Sequence, residues 1–105
     1  MSEEMETIIF EIISNAGNVK GLCYEAIDLA IDGKIDKANE KIKESEEFLL
    51  KAHEVQTNLI QKEVSGEKTE LSVLFIHAQD HLMSAIEIKN LATKLIKLCD
   101  KIKKN

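Results

Sequence analysis

Residues 70–101, ELSVLFIHAQDHLMSAIEIKNLATKLIKLCDK, decide the fold. Apolar side chains recur there at intervals of three and four, the period that gathers residues onto common faces of an α-helix. The spacing predicts a third helix from Glu70 to Lys101, opened by Thr69. Its apolar set is too broad for one stripe: Leu71, Val73, Leu74, Phe75, Ile76, Ala78, Leu82, Met83, Ala85, Ile86, Ile88, Leu91, Ala92, Leu95 and Ile96. A helix that is apolar on more than one side must be covered on more than one side, and two companion helices of the same chain cover roughly one face. The sequence therefore predicts a homo-oligomer with the third helix at its centre and cyclic symmetry, without giving the number of subunits.

Outward from this stretch, Ile8, Ile9, Ile12, Ile13, Ala16, Val19, Leu22, Cys23, Ala26, Leu29 and Ala30 repeat the same period and predict a first helix over Glu4 to Ile31. Gly17 interrupts it at about 1 kcal/mol relative to Ala, a cost that a close helix contact would explain. Asp32 and Gly33 form a stop signal, and Asp36 is expected to cap the second helix. They do not begin an EF-hand loop: the third position, counted from Asp28, is Ala30, and the twelfth is Asn39 where a bidentate Glu is required. The second helix carries Ala38, Ile42, Ser45, Leu49, Ala52, Gln56, Leu59 and Ile60 inward, with Lys41, Lys43, Glu44, Glu46 and Glu47 in water. Ser65, Gly66, Glu67 and Lys68 make the second break. The expected class is all-α, a three-helix antiparallel bundle in one domain over residues 1–105.

Composition agrees with that class. Apolar residues reach 44%, proline is absent, and aromatics are only 4%, so Phe10, Tyr24, Phe48 and Phe75 are expected to serve a core of Leu, Ile and Ala rather than a sheet. A formal charge of -5 argues against nucleic-acid binding, which needs a basic face to displace counterions from phosphates. Lys89, Lys94, Lys97, Lys101, Lys103 and Lys104 gather towards the C-terminus, where they suit the negative end of a helix dipole; a docking patch for an acidic partner is the lesser alternative. Cys23 and Cys99 lie in no metal-ligand spacing and read as small core residues of a reducing compartment. Met1 to Glu6 lacks a basic segment leading into an apolar one, and no apolar run approaches the roughly 20 residues that span a bilayer, so a cytoplasmic location without membrane insertion is expected.

One polar group intrudes on the apolar third helix: His77, Ala78, Gln79, Asp80, His81. At about 100° per residue His77 and His81 stand one above the other, while Asp80 diverges from His81 by about 100° and can serve a different neighbourhood. Three readings compete. The histidines are hydrogen-bonded members of a helix interface; or they are ligands of a metal, completed by a carboxylate or by His53; or one of them is a nucleophile toward phosphorus, its opposite ring nitrogen held by a hydrogen bond and its phosphoramidate steadied by a neighbouring donor such as the other histidine. Glu does not follow His77, so the HExxH pattern is absent, as are GxGxxG and GxxxxGK[ST]. Any phosphoryl group must then come from another macromolecule.

The stretch Ile76-His77-Ala78-Gln79-Asp80-His81-Leu82-Met83 resembles the signature of the lactose/cellobiose-type enzyme IIA family of the sugar phosphotransferase system. Ala52-His53-Glu54-Val55-Gln56-Thr57 resembles the family's motif on the second helix, Gly33 to Ala38 its first turn, and Phe10-Glu11-Ile12-Ile13 with Ala16-Gly17 its opening helix. The resemblance implies a homotrimer around the third helices. It implies that His77 accepts a phosphoryl group from phospho-HPr and passes it to a cysteine of enzyme IIB, for uptake of lactose, cellobiose, chitobiose or a related β-disaccharide, with His81 assisting. It places Asp80 on the threefold axis, where three carboxylates would meet one structural Mg2+ per trimer, and gives His53 and Gln56 supporting positions. Against this carrier stand a helical metal-binding interaction module that uses His77 and His81, with His53, and forms no covalent intermediate, and an inert helical scaffold.

Overall fold

Ser2 opens the first helix: its backbone is extended and its Oγ accepts a hydrogen bond from the Met5 amide at 3.1 Å. Glu3, Glu4 and Glu6 add negative charge at the positive end of the helix dipole. In the computed structural model, which describes residues Met1–Asn105, α1 then runs over Glu3–Ile31. It stops at Gly33, whose φ of 81° lies in the left-handed region that glycine enters without cost. The Gly33 and Lys34 amides turn back onto the Ala30 and Leu29 carbonyls at 3.0 and 2.8 Å, satisfying the last turn.

Helix α2 covers Ile35–Val64 and ends by the same device, with Gly66 at φ 102° and the Gly66 and Glu67 amides bonded to the Glu63 and Lys62 carbonyls. Asp36 does not cap it. The tight closure at Gly33 and Lys34 starts the helix at once, so Asp36 already lies in the first turn, where its carboxylate favours the dipole instead. Helix α3 covers Val73–Lys104, beginning and ending later than the periodicity predicts. Its cap is Ser72, extended and accepting from the Phe75 amide at 3.1 Å, and Thr69 is left in the connection.

Two ties report the directions of the helices. Lys62 Nζ meets Glu4 at 3.3 Å, joining the end of α2 to the start of α1, and Lys103 Nζ donates to the Gly33 carbonyl at 2.6 Å, joining the ends of α3 and α1. Hence α2 runs antiparallel to both neighbours, and the body is a rod of 56 × 21 × 19 Å. The expected all-α three-helix bundle is present, and no helix is long and apolar enough to cross a membrane.

Helix α1 packs extensively on both others, whereas α2 and α3 touch less. One core cluster is built from small side chains, Ala16, Val19, Cys23, Ala26, Ala30, Ala38, Ala85 and Ala92 with Ile42 and Ile96, which let helix axes approach closely. The other is larger-grained, with Met5, Ile9, Ile12, Leu59, Phe75 and Leu82 around Ala52 and Ala78. Ser45 is buried as expected, its hydroxyl donating to the Ile42 carbonyl at 2.6 Å. Burial pushes the Cys23 thiol up, and both cysteines are free.

Several inward assignments are corrected. Phe10 and Tyr24 are exposed, because the α1 stripe that faces both partners is filled by Ile9, Ile12, Val19, Cys23 and Ala26. Ile60 is exposed because Leu59 takes the inward position at the end of α2. A Cβ at Gly17 would meet nothing within 4 Å, so that glycine answers no close helix contact.

Candidate functional site

Helix α3 presents three sectors at the level of its polar group. Phe75, Ala78, Leu82 and Ala85 are buried against the other helices. On the opposite side Ile76, Asp80 and Met83 face outward, and His77 and His81 occupy the flank between. The inward residues hold the helix in place, and the flank remains reachable. His77 is exposed and His81 half-buried.

The two imidazoles meet edge to face, with ring centroids 4.5 Å apart and an interplanar angle of 83°. His81 Nε2 lies 3.1 Å from His77 Nε2. Behind this pair stands Lys20 of α1, whose Nζ is 3.0 Å from His81 Nδ1. Together the three side chains form one line: Lys20 Nζ, the His81 ring, His77 Nε2. Burial, and after it the Lys20 ammonium and His77, hold His81 below the ordinary imidazole range and so favour the neutral ring, while the Asp80 carboxylate pulls the other way. Ser84 Oγ donates to the His81 carbonyl at 3.0 Å.

Sequence reasoning missed Lys20. It lies 61 residues from His81, and its role is visible only once α1 and α3 are side by side. A signal was present, since Lys20 is the sole basic residue between Glu3 and Ile31 and so the only cation α1 can offer.

The other expected site residues divide as follows. Asp80 lines a groove between α2 and α3 of about 280 Å3 with Gln56, Ile60, Phe75, Ile76 and Gln79, on the far side of α3 from Lys20. It is exposed and takes part in none of the chain's ion pairs, so its carboxylate is available outward. Gln56 reaches across this groove, its amide nitrogen 3.4 Å from Gln79 Oε1, a long contact that links α2 to the His77 turn. His53 is exposed on α2 and is not brought to the histidine pair. No group of three His, Cys, Asp or Glu within the chain is arranged to hold a metal ion, so the three-histidine ligand set does not form. Of the apolar residues just before His77, Leu74 is exposed and Phe75 is buried.

The arrangement can present one imidazole nitrogen to an incoming electrophile while a second imidazole offers an N–H beside it. The sequence model of the family described as PTS system, Lactose/Cellobiose specific IIA subunit, matches residues 7–100. The lichenan-specific phosphotransferase enzyme IIA component of Bacillus subtilis is 49% identical over 102 residues, covering 97% of this chain and 93% of that protein. Among solved structures, the PTS cellobiose-specific enzyme IIA from Bacillus anthracis superposes with a TM-score of 0.96 at 46% identity, covering 100% of this chain and 96% of the other. The chitobiose IIA protein of Escherichia coli, solved in solution in complex with HPr, gives a TM-score of 0.79 at 34% identity, covering 97% and 99% of the two chains.

Proposed function

The chain belongs to the lactose/cellobiose-specific IIA family of the sugar phosphotransferase system, and from that premise we propose that it is a cytoplasmic phosphoryl carrier whose nucleophile is His77 Nε2. The observation that carries this reading is the 3.1 Å approach of His81 Nε2 to His77 Nε2 on the accessible flank of α3. A carrier needs a lone pair that partners can reach and a donor that follows the charge as it moves onto the phosphoryl oxygens.

In the first transfer phospho-HPr docks against the flank. The His77 Nε2 lone pair forms a bond to phosphorus while the bond to the donor atom of HPr breaks and returns its electron pair there. The His81 Nε2–H, released from His77, turns to a phosphoryl oxygen. In the second transfer a cysteine thiolate of enzyme IIB attacks the same phosphorus, and the His77–phosphorus bond breaks with its electrons returning to Nε2. Positioning and electrostatics do this work, and the sugar, a β-disaccharide such as lactose, cellobiose or chitobiose, is never touched. Gln56 supports the turn through Gln79, and His53 remains outside the relay.

The working form in this reading is a homotrimer with α3 at its centre. Support comes from the outward stripe of α3, where Ile76, Met83, Leu91 and Leu98 are each at least half exposed in the single chain. Asp80 sits within that stripe, opposite the buried residues, so three copies would bring three carboxylates together. These free oxygens suit a hard divalent cation such as Mg2+, which when bound supplies the positive charge that relieves their repulsion. No step of the transfer involves it.

The test is intact mass after incubation with phosphoenolpyruvate, enzyme I and HPr, for the wild type and His77→Ala. One acid-labile phosphoryl addition in the wild type alone is expected. No gain in either protein while HPr is fully phosphorylated would overturn the assignment.

A further inference from the structure

Two histidines one turn apart, sharing a hydrogen bond between like nitrogens, pose a problem of choice. Either ring could donate and either could accept, and only the acceptor keeps a lone pair at the shared edge. Nothing about the pair alone decides which ring that is. If His77 donated from Nε2, the lone pair would belong to His81, which is the less exposed ring and the worse placed to meet a partner protein.

The decision lies on another helix. An ammonium has three donors and no acceptor, so Lys20 at 3.0 Å obliges His81 Nδ1 to present its lone pair. A neutral imidazole has one N–H, which must then sit on His81 Nε2, and at 3.1 Å that N–H points at His77 Nε2. His77 Nε2 is left as the acceptor, with the His77 proton on Nδ1. Lys20 takes part in no ion pair with a carboxylate, so the contact with His81 is the polar partner its charge has within the chain.

We infer that Lys20 is a positioning residue that selects His77 over His81 as the nucleophile, by locking His81 in the tautomer that donates from Nε2. This rests on the carrier reading for its consequence, while the tautomer lock itself can be observed without any transfer. Lys20 touches neither phosphorus nor partner in this account; it acts through the His81 ring. The lock also prepares the later step, because the N–H that points at His77 Nε2 is already on the nitrogen that must turn to the phosphoryl oxygens.

The experiment is ring 15N–1H correlation of both histidines in the full chain at neutral pH, for the wild type, Lys20→Met and Lys20→Arg, with phosphoryl uptake from phospho-HPr measured in parallel. The wild type is expected to show His81 protonated on Nε2 and His77 on Nδ1. In Lys20→Met the His81 nitrogens should move towards a mixture of tautomers, and the maximal rate of uptake should fall about tenfold at unchanged KM for phospho-HPr. Lys20→Arg, which keeps a donor-only cation, should recover the wild-type nitrogen pattern and most of the rate. A wild-type His81 protonated on Nδ1 would overturn the proposal whatever the variants do, as would a His81 spectrum unmoved in a folded Lys20→Met. If the tautomers are as stated but the wild type takes up no phosphoryl group, the carrier reading fails and the lock stands.

Discussion

The two faces of α3 are made from similar residues and meet different fates. Inward, Phe75, Ala78, Leu82, Ala85, Ala92 and Ile96 are buried by the chain itself, and the alanines let α1 come close. Outward, Ile76, Met83, Leu91 and Leu98 are as apolar but open, with Asp80, Glu87 and Lys94 exposed among them. Apolar content alone therefore does not distinguish the core of this subunit from its surface. What distinguishes them is that the charge on the inward stripe, Lys89, is mostly buried and paired with Glu46 at 3.7 Å, whereas Asp80, Glu87 and Lys94 on the outward one are exposed and take part in no ion pair. The histidine pair lies on the boundary, close enough to the packed side to borrow Lys20 from α1 and open enough to receive a partner.

That contrast can be broken by substitution. Leu82 is fully buried, and Leu82→Ala is expected to cost about 2–5 kcal/mol in urea unfolding, through lost burial and the cavity left behind. Met83→Ala, one residue away on the open face, should cost no more than about 0.5 kcal/mol when the protein is diluted to single subunits. Equal losses would abolish the distinction between the faces. On assembly, Ile76→Asp should weaken self-association about tenfold in sedimentation, near 1.4 kcal/mol, with helix content unchanged by circular dichroism. If the variant associates as the wild type does, the outward stripe is not the interface and the trimer proposal loses its support.

The sequence disclosed the parts of this molecule that depend on local period. Three helices, the glycine stop at Gly33 and the break at Gly66 were legible, because hydrophobic spacing and left-handed backbone leave marks within a few residues. Caps were less legible. Thr69 and Ser72 both suit the start of α3, and only the backbone geometry selects Ser72. Phe10 and Tyr24 went astray because composition assigns aromatics to cores without saying which side of a helix they occupy. His77, His81 and Asp80 stood out as polar residues in an apolar run, and their angular separation anticipated that Asp80 would face away from the histidine relay. Lys20 did not stand out, since its meaning is a distance between helices that no periodicity encodes.

The most direct test of the account is to locate the phosphorus atom by 15N–31P coupling in the phosphorylated, histidine-labelled wild type. The relay from Lys20 through His81 leaves its lone pair on His77 Nε2, so a single phosphorus bonded to that nitrogen, with His81 unmodified, is the predicted result. Phosphorus on His81, or on Nδ1 of His77, would contradict it.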